Sequence, residues 1–237
     1  MISDWRSASL ALPRGSPLAP TKTLYCYSPS VVPTPSDWPP DAIATGYWLR
    51  DDQSDAEPLN PDLESFLAAG TPTIYIGFGS SVGPDSAHLA AVVSNAVQQA
   101  GLRAVIASGW GALRGVQGNS NTMVIESAPH RSLFPHVAAV VHHGGAGDDS
   151  CRSTRGAPHD HLPLPGRPAL LGGCGSPGRG RAQPMPAKRL TPERLASAIQ
   201  KARDDGDMRT RASELSMGIA GEDGTGRASE QIESTLT

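Results

Sequence analysis

The chain has 237 residues, and its 20 Lys and Arg residues nearly balance its 23 Asp and Glu residues, which leaves a formal net charge of -3. Because so small a charge gives no field that would favour a phosphate backbone or an anionic lipid surface, we expect no nucleic-acid partner. The absence of an apolar run near the roughly 18 residues that span a bilayer, and of a signal-peptide pattern at the start, predicts a cytoplasmic protein.

The first 62 residues are rich in Pro and Ser, with four prolines between positions 33 and 40. Such a composition predicts sparse regular structure. We therefore interpret residues 1–62 as a docked tail or as the remnant of a linker to another domain, and residues 63–237 as the main domain. The three cysteines have no metal-ligand spacing, so the sequence predicts no metal site.

From residue 71 onward the pattern is one of alternating strands and helices. Short apolar and β-branched runs predict strands at 73–78, 103–108, 122–127 and 138–142, each followed by Gly, Pro or Ser. Apolar residues at i, i+3 and i+4 spacing predict a helix that ends at Gly101. This order is typical of the α/β class, and we expect a Rossmann-like parallel sheet with helices on both faces.

The last part of the chain is helical in pattern. Thr191 is the expected N-cap of one helix, a second helix is expected to start near residue 207, and a third should pack Ala228 and Ile232 inward. Between the two patterned regions, residues 148–183 contain many Gly, Pro and Arg residues and have no apolar period. We expect an aberrant, irregular loop there.

Two glycine-bearing loops, residues 77–81 and 142–147, follow predicted strands. In open parallel sheets, ligands bind beyond the carboxyl ends of the strands, where the free N–H groups of helix N-termini attract phosphate. Small residues allow the backbone to approach a diphosphate closely, and the imidazole of His143 can donate a hydrogen bond to it. Either loop alone is a weak signal, because glycine turns are common after strands.

Seven short sequence motifs stand in one recognisable order: YSPSVVP from residue 27, DWPP from 37, GYW from 46, IGFGS from 76, PH and LFP between 129 and 135, and HHGGAG from 142. From about Tyr25 onward the chain resembles glycosyltransferases of the GT-B type, the group that includes sterol glucosyltransferases and macrolide and glycopeptide antibiotic glycosyltransferases. The resemblance implies that the chain is the C-terminal, donor-binding half of a GT-B fold.

The resemblance also implies a site for a nucleotide diphosphate sugar, with a UDP-sugar expected and a TDP-sugar left open. Gly79 and Ser80 would lie near the diphosphate, and Trp110 would pack near the base or belong to the core. The base pocket would be lined by Ser127, Ala128 and Pro129. The diphosphate would be held at a helix N-terminus by His143, Gly145, Ala146 and Gly147.

In these glycosyltransferases a base deprotonates the acceptor hydroxyl while the diphosphate leaves, with inversion at the sugar carbon. That base resides in an N-terminal acceptor domain, and we expect this chain to begin where such a domain ends. The sequence therefore nominates no catalytic residue, no cofactor and no metal. The expected partners are the nucleotide sugar, a lipophilic acceptor such as a sterol or macrolide, and a separate acceptor domain.

After Gly147 the resemblance stops, since the family's strand and its sugar-gripping Asp-Gln pair are missing. Back-translation of residues 148–172, read one base later, can give TTAAALRAGRPTITCPFPGDQPFWG, which restores both features and puts the pair at the positions of Arg167 and Pro168. We hypothesise a frameshifted gene or a sequencing error. If the segment is real, the carboxylates of Asp148 and Asp149 should repel a diphosphate.

Two other interpretations stay open at this point. The chain could be an inactive fragment that retains at most nucleotide binding. A nicotinamide-dependent oxidoreductase would share the sheet, but residues 77–82, GFGSSV, lack the last glycine of the required GxGxxG pattern.

Overall fold

The computed structural model describes residues 21–48, 57–79, 86–109, 111, 113–142, 159–161 and 189–235, with only the backbone described at 159–161. Within these ranges the strands are β1 (Thr23–Tyr25), β2 (Ala42–Ala44), β3 (Thr73–Gly77), β4 (Arg103–Ala107), β5 (Thr122–Ile125), β6 (Val137–His142) and β7 (His159–His161). The helices are α1 (Pro61–Ala68), α2 (Ser86–Ala100), α3 (His130–Leu133), α4 (Pro192–Asp204), α5 (Gly206–Ala220) and α6 (Gly224–Glu233).

Five of these strands form one parallel sheet in the order β5-β4-β3-β6-β7. β3 and β4 are buried along their whole length, as expected of strands that are covered on both faces. The predicted α/β class and Rossmann-like sheet are therefore confirmed. No helix among the described residues is long and apolar enough to cross a bilayer.

Alternate side chains of β3 enter two different cores. Ile74 and Ile76 pack with residues of α2 and α4 on one face of the sheet. Tyr75 packs on the other face with α1 and with the turn at Leu133 and Phe134. The two faces of the sheet are thus covered by different helices, and the loops at the carboxyl ends of the strands lie between these layers.

Local capping explains where the helices begin. The Thr191 hydroxyl accepts a hydrogen bond from the Arg194 N–H, which confirms the predicted N-cap of α4. Asp205 and Asp223 cap α5 and α6 in the same way. α1 was not predicted, although Asn60 caps it and Pro61 is its first residue.

Residues 21–48 contain a small parallel pair, β1 with β2, and pack against α5 and α6. The carboxylate of Glu222 accepts hydrogen bonds from the hydroxyls of Ser28 and Ser30, at 2.7 and 2.8 Å. Val31, Tyr47 and Ile219 form a separate apolar cluster beside this contact. The division of the chain at residue 62 stays a prediction, and α1 begins at Pro61, just before it.

Most of the stretch 148–183, for which an irregular loop is expected, lies outside the described residues, and the expectation stays a prediction there. Its described part, His159–His161, pairs with β6 as a short strand, because backbone pairing requires no apolar side-chain pattern. In the alternative reading frame, the same three positions read Thr-Ile-Thr. Ile232 was expected to point inward from α6 but is 54% exposed, whereas Ala228 is buried as predicted.

Candidate functional site

The strand order places a topological switch point between β3 and β6. From β3 the chain continues through β4 to β5 on one side, and β6 then returns to the other side of β3. Ligands in open α/β sheets bind in the crevice that such a reversal creates at the carboxyl ends of the strands. The two glycine-bearing loops of the sequence follow the two strands that flank this crevice.

The loops after β3, β4 and β5 are joined to one another at this edge of the sheet. A Cβ on Gly109 would lie 2.6 Å from the carbonyl oxygen of Gly79, so only a glycine allows these two loops to approach so closely. Gly109 donates its N–H to the carbonyl oxygen of Glu126, and Ser108 donates its N–H to that of Ile125. The position of Gly79 is therefore tied to the start of the loop after β5.

A cavity of about 610 Å³ opens beside the end of β5, a volume within the usual range of small-ligand sites. One wall is the segment 123–129, and the other is formed by Glu57, Pro58 and the first turn of α1. The two walls are held together by the Ser132 hydroxyl, which donates a hydrogen bond to the Glu57 carbonyl oxygen at 2.6 Å.

The loop wall of the cavity offers unused backbone groups. Within the described part of the chain, the peptide groups of Ser127 and Ala128 take part in no hydrogen bond. A peptide N–H and a neighbouring C=O present a donor and an acceptor side by side. Such a wall can pair with a planar ligand edge that carries the complementary groups.

The opposite wall is acidic. The carboxyl groups of Glu57 and Asp62 belong to residues that line the cavity, and Glu126 adds a third from the loop. Three carboxylates disfavour a phosphate but accept hydrogen bonds from hydroxyl groups. In the described ranges, no group of three His, Cys, Asp or Glu residues is placed to hold a metal ion.

Four of the predicted site residues are described. Ser127, Ala128 and Pro129 line the cavity together, and Gly79 follows β3 in the left-handed region with φ of 57°. The other six, namely Ser80, Trp110, His143, Gly145, Ala146 and Gly147, lie outside the described residues. Their roles stay predictions.

Sequence reasoning missed three features of this site. Gly109 was not singled out, because its close contact with Gly79 is a tertiary one. Glu57 and Asp62 were assigned to a linker on the basis of composition. The pattern Asn60-Pro61 followed by Leu63, Phe66 and Leu67 is a helix-start signal that could have placed α1, and with it the second wall.

The sequence is similar to those of known enzymes over nearly its whole length. It is 33% identical over 250 residues to a sterol 3-beta-glucosyltransferase of Emericella nidulans. That alignment covers 98% of this chain and 17% of that enzyme. It is 32% identical over 209 residues to a sterol 3-beta-glucosyltransferase of Arabidopsis thaliana. That alignment covers 87% of this chain and 34% of that enzyme. The chain is a homologue of the sterol 3-beta-glucosyltransferases.

Solved structures give the same fold. The glycosyltransferase of kitacinnamycin matches with a TM-score of 0.72 at 20% identity, over 91% of this chain and 55% of that one. Glycosyltransferase VinC, in complex with dTDP, matches with a TM-score of 0.68 at 20% identity, over 98% of this chain and 57% of that one. No protein-family model matches the chain.

These similarities confirm the resemblance to GT-B glycosyltransferases that the sequence motifs indicated. This glycosyltransferase homologue spans about a third or less of the length of the two sterol 3-beta-glucosyltransferases named above. It matches a little over half of each of the two solved glycosyltransferase chains.

Proposed function

We propose that the chain binds the nucleotide diphosphate sugar of a glycosyltransferase at the carboxyl edge of its sheet. The observation that carries the proposal is the cavity beside β5, whose wall includes the unbonded peptide groups of Ser127 and Ala128. The edge of uracil or thymine carries carbonyl oxygens next to an N–H group. These match a peptide N–H and C=O, so the base would lie against residues 127–129.

The carboxylates of the cavity favour the base and ribose inside it and the diphosphate outside it. Because Glu57, Asp62 and Glu126 line the cavity, the diphosphate is expected outside it, and the ribose hydroxyls are expected to face the carboxylates. The switch point between β3 and β6 supports a diphosphate near Gly79 and the segment 143–147. His143 would then donate to a phosphate oxygen.

The reaction we propose is transfer of a hexose, from a UDP-sugar by preference, to the hydroxyl of a lipophilic acceptor such as a sterol. The acceptor oxygen forms a bond to the anomeric carbon as the bond from that carbon to the phosphate oxygen breaks, with inversion. The hydroxyl proton passes to a base supplied by a separate acceptor domain, and the electron pair leaves on the diphosphate. The residues at the switch point would stabilise that negative charge.

Calorimetric titration of the full chain with UDP, TDP and ADP tests the binding step. We expect UDP or TDP to bind and ADP to bind at least about tenfold more weakly, since the larger purine offers a different hydrogen-bonding edge. Ala128→Glu should abolish binding by adding a charge to the wall. Ala69→Glu makes the same change at the exposed opposite end of α1 and should leave binding intact.

The outcomes are distinct. Absence of binding by both UDP and TDP would contradict the proposed donor site. Binding without sugar transfer, even when an acceptor domain from a relative is supplied, would favour the alternative of an inactive fragment that retains nucleotide binding.

A further inference from the structure

Tyr75 and Gly77 lie on the same face of β3, two residues apart. A Cβ on Gly77 would lie 2.7 Å from Cζ and 2.9 Å from Cε1 of the Tyr75 ring, and closer still to its hydroxyl oxygen. The ring therefore lies along the strand, over Gly77 and toward the carboxyl edge of the sheet. Gly77 makes room for this ring, which is a different role from that of a loop glycine near phosphate.

At the carboxyl edge the Tyr75 hydroxyl meets the loop after β5. Its oxygen is 3.0 Å from Nε2 of His130, within hydrogen-bonding distance. The His130 ring stacks on Phe134 with centroids 4.6 Å apart and planes at 16°. Tyr75 meets the same Phe134 ring edge-on at 5.3 Å. Tyr75 is 4% exposed and Phe134 is 1% exposed, whereas His130 is partly buried, so the three rings reach from the core to the start of α3.

This three-ring cluster, formed by Tyr75, His130 and Phe134, adjoins the cavity. His130 directly follows Pro129, the last residue of the loop wall, and is the first residue of α3. The other end of that wall is fixed where the Glu126 carbonyl oxygen accepts the Gly109 N–H. The peptide groups of Ser127 and Ala128 thus lie between two fixed points, one of which adjoins the partly buried Tyr–His hydrogen bond.

We propose that Tyr75 and His130 are a positioning pair for the donor base, with Gly77 as the space that the pair requires. The hydrogen bond between them holds the loop 127–129 in the orientation in which its peptide groups face the cavity. This inference rests on the proposed function. If the pair had only a structural role, its loss would destabilise the fold but would disturb the loop 127–129 no more than the loss of any other core contact would.

Tyr75→Phe separates these roles, because it removes one hydroxyl and keeps the ring. We expect it to raise the Kd for UDP about 3- to 10-fold, the range that corresponds to one intramolecular hydrogen bond. Ile74→Val is the matched control, since Ile74 belongs to the same strand but packs into the other core. It should change the Kd by less than about twofold.

His130 provides the rescue. His130→Ala should weaken UDP binding as much as Tyr75→Phe does, whereas His130→Gln should retain it, because an amide can still pair with a hydroxyl. Gly77→Ala should displace the Tyr75 ring and weaken binding as well. A loss in His130→Gln as large as that in His130→Ala would overturn the positioning role of the hydrogen bond.

Amide exchange without nucleotide tests the loop directly. The Leu133 and Gly109 amides donate to the Pro129 and Glu126 carbonyl oxygens, at the two ends of the loop. The Leu133 amide, which lies next to the Tyr–His contact, should exchange faster in Tyr75→Phe than in the wild-type chain and in Ile74→Val, whereas the Gly109 amide should change less. Equal exchange of the Leu133 amide in all three would overturn the inference, whether or not nucleotide binds. Failure of the wild-type chain to bind UDP and TDP would instead overturn the proposed function, and with it the pair's role in donor binding.

Discussion

Substitution of Gly224, the first residue of α6, tests how closely residues 21–48 are docked. A Cβ on Gly224 would lie 2.7 Å from the carbonyl carbon of Gly46 and 2.9 Å from its oxygen, and closer to the Tyr47 carbonyl oxygen. These are main-chain atoms, so the collision is relieved only by moving residues 46 and 47. We expect Gly224→Ala to lower the free energy of unfolding by about 1–3 kcal/mol, the usual cost of overpacking.

The displaced backbone also belongs to the apolar contact between the segment and α5. Tyr47 packs with Val31 and Ile219, and Gly46 has a φ of 103°, which restricts how residues 46 and 47 can adjust. The amides of Thr45 and Gly46 donate to the Tyr25 and Tyr27 carbonyl oxygens, at 3.0 and 3.2 Å. Faster exchange of these two amides is therefore expected in Gly224→Ala.

Gly218 provides a control of opposite sign. A Cβ on this residue of α5 would have as its nearest neighbour the Ser30 hydroxyl oxygen at 3.7 Å, an ordinary contact. Gly218→Ala should therefore raise the free energy of unfolding by about 0.5–1 kcal/mol, the gain in helix propensity. Urea unfolding followed by circular dichroism measures both variants. A Gly224→Ala protein as stable as Gly218→Ala, with unchanged exchange at Thr45 and Gly46, would refute the reasoning.

Three further predictions concern other parts of the chain. Arg103 donates to the Phe66 carbonyl oxygen at 2.7 Å, and its guanidinium lies 4.1 Å from the centre of the Phe66 ring. Arg103→Lys should therefore lower the free energy of unfolding in urea by about 1–2 kcal/mol, and an unchanged unfolding midpoint would contradict this. The pKa of Glu193 is lowered by hydrogen bonds, first from its own backbone N–H and then from the Thr191 side chain. The carboxylate therefore contributes stability above its unfolded pKa, and this contribution is lost as the pH falls through the folded pKa. Glu193→Gln should therefore lose less stability on acidification than the wild-type chain, and equal acid sensitivity would count against the hydrogen bonds. Resequencing of the codons for residues 144–190 should reveal a gained or lost base, and an unaltered reading would support a real divergent segment.

The local pattern of the sequence predicted most of the sheet. β3, β4, β5 and β6 lie within one or two residues of the predicted spans, because continuous apolar runs that end at Gly, Pro or Ser mark buried strands. The N-cap of α4 was also predicted from the sequence. β7 was not predicted, since it is held by backbone pairing to β6 and its residues have no strand pattern.

The candidate site was less predictable than the sheet. The family resemblance named Ser127, Ala128 and Pro129, and the structure places all three on one cavity wall. The contacts that shape this wall join residues far apart in the chain, such as Tyr75 with His130. No local periodicity encodes such a pair, because it depends on which strands are neighbours in the sheet.

The most direct test of the donor site is amide exchange of the full chain with and without saturating UDP. The account predicts slower exchange at Ser127 and Ala128, at the carboxyl edge of the sheet, and unchanged exchange at Thr73 and Arg103, where β3 and β4 begin. Protection confined to the beginnings of the strands, or none with either UDP or TDP at saturation, would contradict it.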